Sequence, residues 1–274
     1  MQAVSSIRQL RNAIAGVRTG AGYTTNFYAS PEETKHWVES GALLLQHGSG
    51  AVLIFRRTAA FFRLYHTAAD AASLAAALRA LDPIFCKSTV VSDLVGKPEN
   101  LRGLVDAHIA AGFSAHTRLL RMYRTGDVGT ELTVARNVSH ASRADAQDVH
   151  AFLNGQLDPF SEQVPDLSQL VEKAAAGSIL IVRLNSTLAG VLIYETTGLT
   201  TTLRYWHVDG RYRNQGVGAD LMHAFFRLCQ NSRRFLLWVI ANNTDAISKY
   251  EHYGFQVDEL VDDIVIRPAG RAAQ

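Results

Sequence analysis

The sequence predicts an α/β protein: two mixed-sheet modules in tandem, each a central, mostly antiparallel sheet flanked by helices. Three observations carry this. Short runs of apolar and β-branched residues alternate with segments of helical periodicity along the whole chain. The order of these segments repeats, with helices leading into a hairpin, a third strand, and then alternating helices and strands. Two short stretches also recur about half a chain apart. Trp37-Val38-Glu39-Ser40-Gly41 precedes one hairpin as Leu170-Val171-Glu172-Lys173-Ala174 precedes the other, and Ala110-Ala111-Gly112-Phe113 matches His252-Tyr253-Gly254-Phe255. Residues 125–130, Thr-Gly-Asp-Val-Gly-Thr, have the character of a connection and divide the chain into residues 1–125 and 126–274.

In order, Ile7, Leu10 and Ile14 share one face of a helix over residues 4–15, and glycines between Gly16 and Gly22 end it. Ser30-Pro31-Glu32-Glu33 opens the next helix with an N-cap serine, proline at the first position and acids in the first turn. It runs to about Glu39. Leu43–Gln46 and Ala51–Phe55 are strands joined through Gly48-Ser49-Gly50, and Ala60–His66 is a third. An alanine-rich helix over 69–81, a strand over 89–94, a helix over 99–111 and a strand ending near Tyr123 complete the first half.

The second half starts with a strand at Leu132–Asn137 and helices at Arg143–Gly155 and Leu167–Ala176. Ile179–Leu184 and Ala189–Glu195 form a hairpin through Asn185-Ser186, and Thr201–Val208 is the third strand of that meander. A helix from Val217, the strand Phe235–Ile240, a helix containing Tyr250 and two closing strands follow.

The stretch Tyr205 to Leu221 organises the rest. It starts as a strand and ends as a helix, with apolar residues at 217, 221, 224, 225 and 228. Gly216 and Gly218 clear side chains from the point where the helix begins. The open N–H groups and positive dipole end there suit a pyrophosphate, and Arg211 and Arg213 add cationic forks. The P-loop pattern is absent, and Leu221 stands where a dinucleotide fingerprint needs its third glycine.

Arg213-Asn214-Gln215-Gly216-Val217-Gly218, after the strand end Val208-Asp209, resembles the acetyl-CoA motif [QR]-x-x-G-x-[GA] of the GNAT superfamily of N-acyltransferases. A second GNAT-like signature follows: Asn242-Asn243, a helix, then Tyr250-Glu251-His252-Tyr253-Gly254-Phe255. The resemblance is clear over about residues 131–267 and implies a tandem GNAT arrangement with a degenerate first copy. It also implies acetyl-CoA (coenzyme A) as cofactor and acyl transfer to an amine.

Carried over by position, backbone groups at His207 and Val208 would hold the pantetheine arm. N–H groups of Arg213, Asn214, Gln215, Gly216, Val217 and Gly218 would hold the pyrophosphate, and Asn243, or as an alternative Asn242, the pantetheine amides. Tyr250 matches the family's general acid. No motif marks the general base, and Glu195 and His207 are the candidates. Strand alternation puts Leu203, Tyr205 and His207 on one face, and Arg204, Trp206 and Val208 on the other. Tyr205 and Trp206 are read as lining the acceptor pocket, joined by Phe160 from the loop between the first two helices of the second half. No metal is expected.

The first half carries no cradle. After its third strand comes His66-Thr67-Ala68-Ala69-Asp70, without glycine or arginine, and His108 stands in the place of Tyr250. No CoA is expected there.

Hydrophobic residues make up 47% of the 274, enough for a proper core. A formal charge of +2 gives no reason to expect nucleic acid or membrane as a partner. Cys86 and Cys229 lie in apolar surroundings and read as buried free thiols in a reducing compartment. The N-terminus lacks an uninterrupted apolar core, so a cytoplasmic location is expected. The functional expectation is a cytoplasmic acetyltransferase acting on a small-molecule amine, as monomer or homodimer. Its rivals are a non-catalytic CoA-binding or regulatory module, and a relative using another acyl-CoA or a protein- or carrier-bound amine.

Overall fold

A computed structural model describes residues 1–18, 22–126 and 137–270, the side chain of Cys86 excepted. The chain divides into two compact units, Met1–Leu119 with Glu259–Gln274, and Leu120–Asp258.

The first unit starts with β1 (Gln2–Ala3), α1 (Ile7–Val17), β2 (Thr24–Thr25) and α2 (Pro31–Glu39). Ser30 and Glu33 close a reciprocal capping box at the start of α2, as the Ser-Pro-Glu-Glu run leads one to expect. β3 (Leu43–Gly48), β4 (Ala51–Arg57) and β5 (Phe62–Ala68) form an antiparallel meander, followed by α3 (Ala71–Arg79), β6 (Val90–Gly96), α4 (Pro98–Ile109) and the first part of β7 (Ser114–Thr125). β5 and β6 run parallel and pair only at Phe62↔Val90 and Arg63↔Val91. Val4, Leu10, Trp37, Leu43, Leu45, Val52, Ile54 and Tyr65 pack together under α1 and α2.

The second unit takes the end of β7 and then β8 (Val138–His140), α5 (Ala146–Asn154), α6 (Leu167–Ala175), β9 (Ile179–Leu184), β10 (Thr187–Thr197) and β11 (Thr200–Val208). α7 (Val217–Leu228), β12 (Arg234–Ile240) and α8 (Thr244–His252) follow. Its strands lie in the order β7-β12-β11-β10-β9-β8. β8 to β11 are antiparallel neighbours, and β11 and β12 run parallel. Asn185 and Ser186 both take positive φ (50° and 64°), the backbone twist of a two-residue hairpin.

Two cores sandwich this sheet. One joins Val149, Leu153 and Leu170 of α5 and α6 to Ile181, Val191 and Tyr205. The other joins Leu221, Met222, Phe225 and Phe226 of α7 to Leu203, Phe235 and Tyr250. Cys229 is a buried free thiol, pushed up to about 11 by burial. Cys86 falls outside the described side chains.

Two expectations change. A single strand, β13 (Gln256–Arg267), ends the described chain where two were expected, because no glycine or proline interrupts its run. Its Val261–Arg267 segment pairs antiparallel with Val90–Gly96 of β6, so residues 259–274 group with the first unit although their place in the sequence puts them with the second. The strand expected at Leu132–Asn137 lies outside the described residues, apart from Asn137. Among the described residues, no helix is long and apolar enough to cross a membrane.

Candidate active site

The site forms where β11 and β12 part. They pair from Thr200↔Arg234 to Leu203↔Leu237, and the ladder stops there, although β11 continues to Val208 and β12 to Ile240. A β-bulge marks the same point. Ile193 of β10 pairs with Tyr205 and Tyr194 with Leu203, so Arg204 is an extra residue in β11. The bulge overturns the simple alternation. Leu203 packs on the α7 side with Phe225 and Phe226, whereas Tyr205 packs on the α5–α6 side. Trp206 and Val208 lie on the α7 side.

The turn after β11 leaves backbone N–H groups open at the start of α7. Asp209 accepts from the Arg211 backbone N–H (2.9 Å) and pairs with its guanidinium (2.7 Å). This contact, with the bonds it includes, lowers the Asp209 carboxyl to about 2. Arg211 is therefore tied down by its neighbour, and Arg213 to Gly216 face solvent. Asn214 and Gly216 have positive φ (61° and 82°). Gly216 is the N-cap of α7 and supplies no side-chain cap, so the first N–H groups of the helix point into the turn.

The two glycines of the motif serve different ends. A Cβ at Gly216 would meet no atom within 4 Å, and glycine is required there by the left-handed backbone. Gly218 has ordinary φ, but a Cβ there would meet the Trp206 ring at 3.2 Å. The Trp206 indole N–H donates to the Gly218 carbonyl (3.1 Å). Trp206 thus locks β11 to the first turn of α7. Gly190 is a third such glycine, unnoticed in the sequence because nothing around it resembles a turn. A Cβ at Gly190 would lie 2.7 Å from Val217 and 3.0 Å from Leu221, so its absence lets α7 press onto β10.

Tyr250 stands on α8 with its ring 5.4 Å from that of Trp206. It is buried, its phenol makes no hydrogen bond among the described residues, and burial raises its pKa, with the charge of Glu162 adding to the rise. It is a phenol held neutral with its proton unspent. Tyr253 belongs to the aromatic packing around Phe226 and Trp206. Asn243 caps α8 by accepting from the Ala246 N–H (3.2 Å), which leaves its NH2 group exposed.

The remaining expected site residues take different parts. Glu195 is ion-paired with Lys173; burial would raise its pKa, but Arg204 and Lys173 hold it below the ordinary range. His207 is lowered by burial to about 4 and stands neutral at pH 7. The Tyr205 phenol donates to the Gln163 carbonyl and braces the loop between α5 and α6. Phe160 sits in that loop, its N–H bonded to Asp158 (3.2 Å).

The loop also holds a residue that no sequence pattern singles out. Glu162 has a buried carboxylate oxygen, Oε2, without a hydrogen-bond partner. Burial, with Asp158 nearby, raises it to about 7. No motif surrounds it, and the only signal available in sequence was its place in a loop where acceptor contacts were expected.

Known proteins resemble this chain in part of its sequence and in its fold. Residues 148–255 match the family model described as the Acetyltransferase (GNAT) family. Over 54 residues the chain is 37% identical to the L-amino acid N-acetyltransferase AaaT of Escherichia coli K12, covering 19% of this chain. The match spans 33% of the length of that relative. Among solved structures, a GCN5-related N-acetyltransferase from Sphaerobacter thermophilus superposes with TM-score 0.59 at 15% identity, covering 90% of this chain and 89% of its own. A tandem GNAT protein from the clavulanic acid biosynthesis pathway gives TM-score 0.58 at 15% identity, covering 97% of this chain and 95% of its own. At these identities the likeness is one of fold.

Proposed function

We propose, from the premise that residues 148–255 are a GNAT-family acetyltransferase domain, that this chain moves an acetyl group from acetyl-CoA to the amine of a small molecule by direct attack. The observation that carries the reading is Tyr250: a buried, unbonded phenol beside Trp206, at the place where β11 and β12 stop pairing.

The residues present fit the cofactor. The uncapped start of α7, with Gly216 in left-handed conformation, offers N–H groups from Asn214 to Gly218 to a pyrophosphate. The unpaired edge at His207 and Val208 offers backbone groups to a pantetheine amide, and Asn243 offers its exposed NH2 group. Bound there, acetyl-CoA would supply an activated acyl thioester. Tyr250 Oη holds the proton that a departing thiolate needs, and burial keeps that phenol protonated through the physiological range. Trp206 fixes the ring position of Tyr250 and the first turn of α7 together.

His207 and Glu195 enter this reading as proton acceptors of limited strength. The first is depressed to about 4 and the second is held by Lys173 and Arg204. An acceptor far below the operating pH gains little from taking a proton.

The test is a panel of small amines with acetyl-CoA, following release of free CoA thiol and the mass of the acetylated product. Turnover by the intact chain, and its loss in Tyr250→Phe, supports the reading. Tight CoA binding without turnover on any amine turns the site into a CoA-binding module. Turnover only with longer acyl-CoA, or only with protein amines, changes donor or acceptor and keeps the fold-level assignment.

A further inference from the structure

The loop between α5 and α6 is folded around its own acids. Asp158 accepts from the backbone N–H groups of Phe160 (3.2 Å) and Ser161 (3.3 Å) and from the Ser161 hydroxyl (2.7 Å). The Glu162 N–H donates to the Asp158 carbonyl (2.9 Å), and the Val164 N–H to the Glu162 carbonyl (2.8 Å). The Tyr205 phenol clamps the next residue from β11 by donating to the Gln163 carbonyl. This scaffold holds Glu162 by its backbone alone. Its side chain is left over: Oε2 is buried and unbonded. A carboxylate so placed is costly unless something cationic or protic joins it. Glu162 sits close enough to raise the pKa of two phenols, Tyr250 on α8 and Tyr205 on β11. Those phenols and Asp158 are the titratable groups that face it; Glu195 and Arg204 act on Tyr205 beyond.

We propose that Glu162 is the catalytic base, the carboxylate that receives a proton from the ammonium form of the acceptor amine, and that the acceptors are therefore alkylamines charged at neutral pH. This rests on the acyltransferase reading. The amine arrives as R–NH3+ and is attracted by the buried negative charge. One proton passes from nitrogen to Glu162 Oε2, giving R–NH2 and a neutral carboxylic acid. As the N–C bond forms and the thioester C–S bond breaks, Tyr250 Oη gives its proton to sulfur and regains one from the new amide nitrogen. The proton on Glu162 leaves to solvent. The balance is one amide, one thiol and one released proton. With a pKa near 7, Glu162 is matched to this role in a way that His207 and Glu195 are not.

Glu162→Gln keeps the shape and removes the charge, and it is tested in the full chain in two ways. The first needs no substrate. A carboxyl raised in the folded state keeps a proton that the unfolded chain releases, so folded stability falls as pH rises from the ordinary carboxylate range to about 7, then levels off. The variant lacks this penalty. Its melting temperature should exceed that of the native chain at pH 8, and the two should converge near pH 4.5. Parallel melting curves across this range overturn the proposal.

The second test compares amines in the acetyl-CoA assay. At pH 6.5 the variant should lose about 10²- to 10⁴-fold in kcat/KM for a primary alkylamine. The loss should shrink toward pH 9, and with an aromatic amine that is already neutral. Equal losses on both amine classes, or no loss on either, overturn the role of Glu162 while turnover by the native chain upholds the acyltransferase. If the native chain turns over no amine, the acyltransferase reading fails, and this role fails with it.

Discussion

Among the described residues, each unit has a parallel strand pair that opens after a short ladder, and the two openings are treated in opposite ways. In the first unit β5 and β6 separate after Arg63↔Val91, and the chain itself enters the opening. β2 pairs with β5 at Thr24↔Ala68 and Thr25↔Thr67. The buried Asn26 side chain then spans to both strands. It donates to the carbonyls of Leu64 (3.3 Å) on β5 and Asp93 (2.8 Å) on β6, and accepts from the His66 N–H (2.6 Å). In the second unit β11 and β12 separate after Leu203↔Leu237, and the ladder is not resumed. The helix starts differ in the same sense. Asp70 caps α3 with its own carboxylate, accepting from Ser73 N–H at 2.7 Å, whereas Gly216 leaves α7 without a side-chain cap. Where Tyr250 faces Trp206 at 5.4 Å, His108 faces His66 at 6.0 Å. Burial drives those imidazoles down, His66 to about 3 and His108 to about 4, so both stay neutral. One architecture thus yields a gap closed by the chain itself and an open one. The difference lies in who supplies the hydrogen bonds and the anion, not in how the strands are arranged.

The comparison breaks most directly at the open end. Gly216→Glu puts a negative charge in the cradle and forces a left-handed conformation on a residue with a Cβ. Calorimetry should show one CoA per native chain and no measurable binding to the variant, with melting temperature lowered by only a few degrees, roughly what 1–2 kcal/mol of left-handed strain costs at an exposed position. A stoichiometry of two in the native chain would show that the first unit binds as well, and would void the comparison.

Tyr250→Phe comes next in size. It should leave CoA binding intact and lower single-turnover rates by about 10²- to 10⁴-fold. The ring contacts with Trp206 and Phe255 survive the change. Wild-type rates would move the proton donor elsewhere.

At the closed end, Asn26→Ala should destabilise the chain. The substitution strands the His66 N–H and the Asp93 carbonyl in a buried place, at a cost of about 2–4 kcal/mol, while the Leu64 carbonyl keeps its bond from the Ser92 hydroxyl (3.0 Å). A chemical-denaturation midpoint gives the answer. A neutral result would mean that water fills the gap and that Asn26 is not what closes it.

How much of this was legible beforehand follows from range. The glycine-bearing turn, the helix it opens and the helix carrying Tyr250 were readable because their pattern is local and their spacing is set by one turn and one helix. The helix start at Ser30 and the hairpin at Asn185 were readable for the same reason. What failed to show depends on partners far apart in sequence. Asn26 meets Asp93 across most of the first unit, and no pattern around Asn26 announces it. The bulge at Arg204 is a mismatch between two strands, visible only once both are paired. Glu162 became conspicuous only through burial beside side chains from β11 and α8. The return of Val261–Arg267 to β6 is likewise a pairing choice, since any strand with that alternation would fit either edge.

The smallest expected effect concerns the helix cap. Asp70→Asn preserves a side-chain oxygen for the Ser73 N–H and removes the charge that complements the α3 dipole. The bonds from Ser73 lower the carboxyl of Asp70, so its contribution is present above the ordinary carboxylate range and is lost as pH falls through the depressed folded value. The variant should therefore melt slightly below the native chain at pH 7, and the two curves should meet in acid, where the native carboxyl is protonated. CoA stoichiometry should stay at one, because the gap behind the cap remains filled by Thr25 and Asn26. Suppose instead that Asp70→Asn, alone or with Asn26→Ala, produced a second binding equivalent. The first unit would then be a cofactor site held shut by two side chains, and the contrast between the units would be one of occupancy and not of construction.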